Sequence, residues 1–190
     1  MPKEPPRAIS PLGGYYKKVG EVTLSEVIDT AIVSLAFPIG DRAVFQNEFA
    51  ETYETSLPEV GNSSVSKDNR FRFLGLQPGL IFALYDFKGL NPISVITQEN
   101  CKTGYCTDQS DSWVKIRLAG TKLETILERM CHLDLSPAVF GPGQVTRTVM
   151  EHLSTIILCE NPESFFFMSP RSSASGFLHS FETSLKLTSN

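Results

Sequence analysis

The sequence predicts an α+β fold in which two ferredoxin-like β-α-β lobes carry antiparallel sheets. The first observation is an order of strand, glycine, helix, proline and hairpin that occurs in residues 31–85 and again in residues 113–168. The second is that hydrophobic spacing switches between the period of two typical of strands and the three-and-four spacing typical of helices. Helices on one face of antiparallel sheets satisfy both observations. A chance repetition of a common order of elements is the alternative explanation.

In the first half, a buried strand at Ala31–Phe37 is followed by a helix. Asp41 stands where a side-chain oxygen can cap that helix. One face of the helix then carries an aromatic residue at every fourth position. These aromatic residues are Phe45, Phe49 and Tyr53.

A hairpin follows, with strands at Arg70–Leu76 and Leu80–Asp86 around the turn residues Gln77-Pro78-Gly79. Leu90–Ile96 is compatible with a short strand or with one helical turn. Residues 99–111 are polar and are expected to form a connector.

The second half opens with the strand Ser112–Leu118, which alternates strictly. Val114, Ile116 and Leu118 share the core face, and the opposite face carries Trp113, Lys115 and Arg117. Residues 121–124 then have the pattern of a capping box, in which the side chains of Thr121 and Glu124 would each accept a hydrogen bond from the other residue's backbone amide. Behind it, one helical stripe contains Leu123, Ile126, Leu127 and Met130.

The last predicted elements are a strand, a hairpin and a closing helix. The strand is Val145–Leu153, and the hairpin joins Ser154–Glu160 to Ser164–Met168. The helix begins at Ser172-Ser173, and its apolar face recurs at helical spacing. That face consists of Ala174, Phe177, Leu178, Phe181 and Leu185.

We expect residues 1–20 to form an irregular arm, because they are rich in proline, glycine and charge. Residues 21–190 are expected to form a single compact domain of two repeated lobes, about 21–100 and 101–190. A chain of this length is sufficient for one such domain.

The charge balance argues against two classes of partner. A net charge of −4 with a pI near 5.4 supplies neither a basic surface for nucleic acid nor a polybasic patch for a membrane. The longest apolar runs are too short to span a bilayer, and the N-terminus lacks the apolar segment of a secretory signal. We therefore expect a cytoplasmic protein whose cysteines are free thiols.

No motif in the sequence indicates a catalytic site. The cysteines at 101, 106, 131 and 159 do not complete a zinc-ligand pattern, and nucleotide-binding and nucleophile-elbow signatures are lacking. We therefore assign no catalytic, cofactor-binding or metal residue.

Three residues are candidates for contact with a partner protein. Trp113 is either an interface residue or packs beneath the loop of Tyr105. Arg147 and Arg171 are either internal ion-pair residues or contacts at the rim of an interface.

An ordered series of short segments in the second half resembles the gamma subunit of heterotetrameric sarcosine oxidase. The series covers roughly residues 105–185, and the first half agrees in outline at Leu57-Pro58 and at residues 73–79. The segments are Thr107–Gly120, Cys131–Leu135, Phe140–Gly143, Thr146–Thr148 and Pro170–Ala174.

The resemblance implies the fold of the first two lobes of the folate-binding aminomethyltransferase of the glycine cleavage system, without its barrel domain. It also implies an assembly of four different subunits that oxidatively demethylates sarcosine to glycine and hydrogen peroxide, with tetrahydrofolate taking the one-carbon unit. FAD, FMN, NAD, zinc and tetrahydrofolate are then expected on the partner subunits, namely alpha, beta and delta. The gamma chain itself is implied to be accessory.

Two other functions are compatible with the same resemblance. One is the small subunit of a related N-methyl amino acid dehydrogenase, such as N-methylglutamate dehydrogenase. The other is a free-standing folate-binding one-carbon protein, which would need a concave pocket between the lobes with a carboxylate placed to bind the pterin.

Overall fold

The computed structural model describes residues 9–98 and 104–188. Within those ranges the chain forms antiparallel strands with short helices between them. The strands are β1 (Tyr16–Val19), β2 (Val22–Glu26), β3 (Thr30–Ala36), β4 (Ser63–Val65), β5 (Arg72–Gln77), β6 (Leu80–Asp86), β7 (Tyr105–Asp108), β8 (Trp113–Ala119), β9 (Val145–Met150), β10 (Leu153–Asn161) and β11 (Ser164–Pro170). The helices are α1 (Arg42–Tyr53), α2 (Ile93–Gln98), α3 (Leu123–Leu127) and α4 (Ala174–Thr188). In the same ranges no helix is long and apolar enough to cross a membrane.

The described strands lie in two antiparallel sheets that repeat each other's order. One sheet runs β4-β5-β6-β3-β7, and the other runs β9-β10-β11-β8-β2-β1. The five strands of the first sheet correspond in order to five strands of the second, namely β9, β10, β11, β8 and β2. The predicted α+β fold, with two repeated lobes built on antiparallel sheets, is confirmed.

The sheets exchange one strand each. β2, which leads into the first lobe, pairs with β8 of the second lobe and places Leu24 opposite Leu118. β7, which leads into the second lobe, pairs with β3 of the first lobe and places Cys106 opposite Leu35. The sheets therefore do not divide at residue 100, where we drew the boundary between the lobes. The exchange links the lobes through backbone hydrogen bonds.

The described apolar core has three layers. The outer face of the first sheet packs against α1 and α2, and the outer face of the second packs against α3 and α4. The inner faces of the sheets pack against each other. The buried residues of this inner layer are Ile32, Leu74, Phe82, Leu84, Val145, Ile156, Leu158, Phe166 and Met168.

β11 shows how this layering appears in the sequence. Phe165 and Phe167 pack towards the helices, whereas Phe166 and Met168 pack towards the opposite sheet. All four side chains are buried. A continuous apolar run in a short strand is the pattern expected when both faces of a sheet are covered.

A second contact between the lobes also follows the repeat. The Ser63 amide donates to the Gly143 carbonyl over 2.7 Å, and the Val145 amide donates to the Gly61 carbonyl over 2.9 Å. Both glycines have a positive φ, +91° at Gly61 and +83° at Gly143. L side chains rarely adopt this conformation, so glycine is favoured at both turns.

Most predicted elements are present, and the helical stripes are buried as expected. Phe45, Phe49 and Tyr53 form the buried face of α1. The ambiguous segment Leu90–Ile96 contributes the start of α2. Three boundaries were wrong. Tyr16–Val19 forms β1 rather than part of an irregular arm, and β7 lies within the predicted connector. The predicted strand Val145–Leu153 ends at Met150, because Glu151 and His152 form a turn and Leu153 begins β10.

Both predicted helix caps are wrong. Asp41 precedes α1, but its side chain makes no capping hydrogen bond. The residue before α3 is Lys122, which has a left-handed conformation with φ 56° and also makes no side-chain cap. Thr121 therefore lies outside the helix start, and the expected capping box with Glu124 does not form. α3 is nevertheless held by its apolar stripe, which packs into the core.

Candidate functional site

A cavity of about 530 Å³ lies where the connections between the lobes meet. Its walls come from residues 27–29 between β2 and β3, from residues 87–90 and Pro92 between β6 and α2, and from Ser110 and Asp111 between β7 and β8. Arg171, between β11 and α4, also lines the cavity, and residues 9–11 and the adjoining ends of β2, β3, β7 and β8 complete the lining. These four connections form two pairs related by the internal repeat. The volume lies within the range of small-molecule sites, about 300–1,000 Å³.

Lys115 is the buried cation of this cavity. It lies on β8 with only 8% of its surface exposed, and it lines the cavity wall. Its ammonium donates to the Thr30 carbonyl at the start of β3 over 2.5 Å, which bridges the two sheets. Burial lowers the pKa of Lys115, and the nearby Asp111 and Glu26 carboxylates partly oppose that shift.

The carboxylates around Lys115 are engaged by other donors. Asp111 pairs with Arg171 over 3.3 Å. Asp29 pairs with Lys88 over 3.2 Å. Glu26 accepts hydrogen bonds from the side chain of Ser10 and from the amides of Leu12 and Gly14.

The bonds to Glu26 also hold the N-terminal segment in place as a wall of the cavity. Farther along, the Tyr15 hydroxyl donates to Glu182 over 2.6 Å. Burial and this hydrogen bond raise the pKa of Tyr15 to about 12. Because the same carboxylate pairs with Lys17 over 3.0 Å, the segment is anchored to α4 as well as to β2.

The internal ring contact of Trp113 is with Phe82 rather than with the loop of Tyr105. Its ring meets Phe82 edge-on, with centroids 6.0 Å apart and planes at 68°, at the margin of the layer between the sheets. It also lines the cavity. Among the described residues its indole N–H has no hydrogen-bond partner. Trp113 thus connects the inner core to the cavity wall.

The two arginines predicted as interface residues differ in their surroundings. Arg171 is partly buried, pairs with Asp111 and donates to the carbonyl of Ile9. Arg147 is exposed on β9, and its Nε donates to Ser154 Oγ over 3.3 Å. The cavity brings Arg171 and Trp113 together but not Arg147. Contact of these residues with a partner stays a prediction.

A smaller pocket of about 280 Å³ lies elsewhere between the sheets. There Arg117 donates through two nitrogens to Glu160, both over 2.7 Å. Burial alone would raise the pKa of Glu160, but the bonds from Arg117 and Ser164 outweigh burial and lower that pKa. The pair links β8 to β10 across the intervening strand β11 and has a structural role.

The described residues contain no cluster of three or more His, Cys, Asp or Glu side chains able to hold a metal ion. Cys106, Cys131 and Cys159 are free, and burial raises the pKa of each thiol. Cys101 lies outside the described residues.

Comparison with known proteins identifies the fold. The chain matches no protein-family model and no curated protein. Among solved structures, it matches heterotetrameric sarcosine oxidase from Corynebacterium sp. U-96, solved in complex with pyrrole 2-carboxylate. The TM-score is 0.79 at 20% identity, and the match covers 96% of this chain and 97% of that chain. The chain therefore has the fold of one chain of a sarcosine oxidase.

A second match links this fold to the glycine cleavage system. Aminomethyltransferase T from Bartonella henselae superposes with a TM-score of 0.59 at 11% identity. The match covers 85% of this chain and 45% of that one, so the chain spans less than half of the transferase. Both proteins implied by the sequence resemblance are thus found by fold, and the likeness to sarcosine oxidase extends through both halves.

Sequence analysis did not identify the cavity or Lys115 as part of a site. Lys115 was placed, with Trp113, on the strand face away from Val114 and Ile116, and such a face is often exposed to solvent. The structure covers that face with the other sheet. The signal that identifies Lys115 is therefore the burial of both faces of β8, which depends on how the lobes pack.

Proposed function

We propose that the chain is the accessory gamma subunit of a heterotetrameric sarcosine oxidase. The observation that carries the proposal is the fold match over nearly the full length of both chains. A match of that extent pairs this chain with a whole chain of the oxidase rather than with a fragment. The assembly would demethylate sarcosine oxidatively to glycine and hydrogen peroxide, with transfer of the one-carbon unit to tetrahydrofolate.

In this proposal the chain supplies contact surface, and the alpha, beta and delta subunits carry the chemistry. FAD, FMN, NAD, zinc and tetrahydrofolate would be bound by those subunits, in the cytoplasm. Exposed aliphatic side chains at the cavity mouth support a contact role, because groups of such residues mark protein interfaces. Ile9 is 73% exposed, Ile28 54% and Leu90 95%.

The proposal predicts that the purified chain is inert by itself. Incubated with sarcosine, it should release no hydrogen peroxide, and its visible spectrum should show no flavin absorption. The matched sample is the complex captured from the native host through a tag on this chain. This complex should release hydrogen peroxide from sarcosine and should show flavin absorption. Sarcosine turnover by the isolated chain would contradict the accessory role. Turnover of N-methylglutamate but not sarcosine by the complex would favour the related dehydrogenase.

The cavity is the observation that favours the second candidate, a free-standing folate-binding protein. That function requires a pocket between the lobes with carboxylates in its wall, and Asp108 and Asp111 occupy such positions. Calorimetry of the isolated chain with tetrahydrofolate separates the candidates. Micromolar binding would favour the folate-binding protein, and its absence would favour the subunit.

A further inference from the structure

The cavity contains a buried cation whose donors are only partly used. An ammonium has three N–H donors, and among the described residues the Thr30 carbonyl is the hydrogen-bond acceptor for Lys115. None of the described carboxylates lies within 4.0 Å of the Lys115 nitrogen. Because an incompletely bonded buried charge is costly, a ligand that supplies a negative oxygen there would gain the interaction that the fold leaves unmade.

The surroundings of Lys115 favour a flat apolar group beside that negative oxygen. Trp113 and Phe87 contribute aromatic rings to the lining, and Val27 and Ile28 contribute aliphatic surface. Aromatic rings bind other rings through offset or edge contacts and bury a large apolar area. We propose that the cavity binds small aromatic monocarboxylates, with the ligand carboxylate on the Lys115 ammonium and the ring against Trp113. This inference does not depend on the proposed subunit role.

The charge of the lining limits the ligand to a single negative charge. Glu26, Asp29, Asp108 and Asp111 all line the cavity, against the cations Lys88, Lys115 and Arg171. Asp29 and Asp111 already pair with Lys88 and Arg171, which leaves Lys115 for the ligand. A second carboxylate on the ligand would face these acidic side chains without a free cation.

The single tryptophan of the chain allows a direct measurement. Trp113 fluorescence of the full-length chain is titrated with benzoate, benzamide, benzylamine and phthalate, which share a ring and differ in charge. We expect benzoate to change the emission with a Kd on the order of 1 mM, a value reasonable for a ligand of this size. The other three probes should bind at least tenfold more weakly.

Two variants test whether benzoate binding depends on Lys115. Lys115→Met, which keeps the length of the side chain, should weaken benzoate binding at least tenfold. Lys67→Met is the control, because Lys67 is an exposed lysine that pairs with Glu54 and lies outside the cavity lining. It should change the Kd less than twofold. Circular dichroism and urea unfolding establish that each variant is folded.

The pH dependence of benzoate binding gives a second test that needs no variant. The groups that act on Lys115 are Asp111, Glu26, Asp29 and Arg171, and burial keeps the pKa of Lys115 below that of a free lysine. Benzoate affinity should therefore fall as pH rises through that lowered pKa. Equal binding of benzoate and benzamide, stronger binding of benzylamine, or unchanged binding by Lys115→Met would each overturn the proposal.

Discussion

Gly120→Ala is expected to destabilise the chain by at least about 3 kcal/mol. Gly120 has φ +144°, a conformation that L side chains rarely adopt. A Cβ at this position would lie 2.3 Å from the Glu21 carbonyl oxygen and 2.8 Å from the Val22 Cα, both backbone atoms. The variant therefore has to push apart the start of β2 and the end of β8, which form one of the two strand pairs that link the lobes.

Urea unfolding measures this effect, and Gly176→Ala is the matched control. Gly176 lies exposed within α4, and a Cβ there would meet nothing within 4 Å. Alanine is favoured over glycine inside a helix by about 0.5–1 kcal/mol, so this variant should be slightly more stable than the parent. A Gly120→Ala protein as stable as the parent would contradict the close packing of β2 on β8.

Phe166→Ala and Phe167→Ala should each cost about 3–5 kcal/mol, the usual range for removing a buried phenylalanine. Phe167 packs beneath α4, with its ring 5.0 Å from that of Phe181. Phe166 faces the other sheet, and the Arg117 guanidinium lies over its ring. If the sheets were covered only by helices, Phe166 would be exposed and its loss would cost little.

Denaturant unfolding of the two variants therefore tests whether both faces of the sheet are buried. The control is Val149→Ala on β9, where the side chain is 54% exposed and a change within about 0.5 kcal/mol is expected. A small loss of unfolding free energy for Phe166→Ala, together with a large loss for Phe167→Ala, would contradict the burial of Phe166 between the two sheets.

The sequence predicted those features that depend on neighbouring residues. The aromatic positions of α1, the alternation of β8 and the apolar face of α4 each follow from local spacing, and the structure buries them as expected. The order of elements in the two halves was also readable, because each repeat is continuous in the chain. Together these features were enough to predict the α+β class and the internal repeat.

The features that sequence analysis missed depend on distant parts of the chain. β7 is short and largely polar, and it is a strand because β3 offers it a free edge. The pairing of β2 with β8 joins segments that lie in different halves. The cavity could not be predicted for the same reason, because its lining residues Lys115, Glu26 and Arg171 come from three separate parts of the chain. No local pattern indicates that they converge.

Native mass spectrometry of the species captured through a tag on this chain tests the proposed role most directly. Cells of the native host grown on sarcosine supply the sample, and a tagged unrelated protein of similar size supplies the background. We expect one assembly in which this chain accompanies three different subunits and bound flavin. Recovery of the chain as a free monomer under those conditions would contradict the proposal.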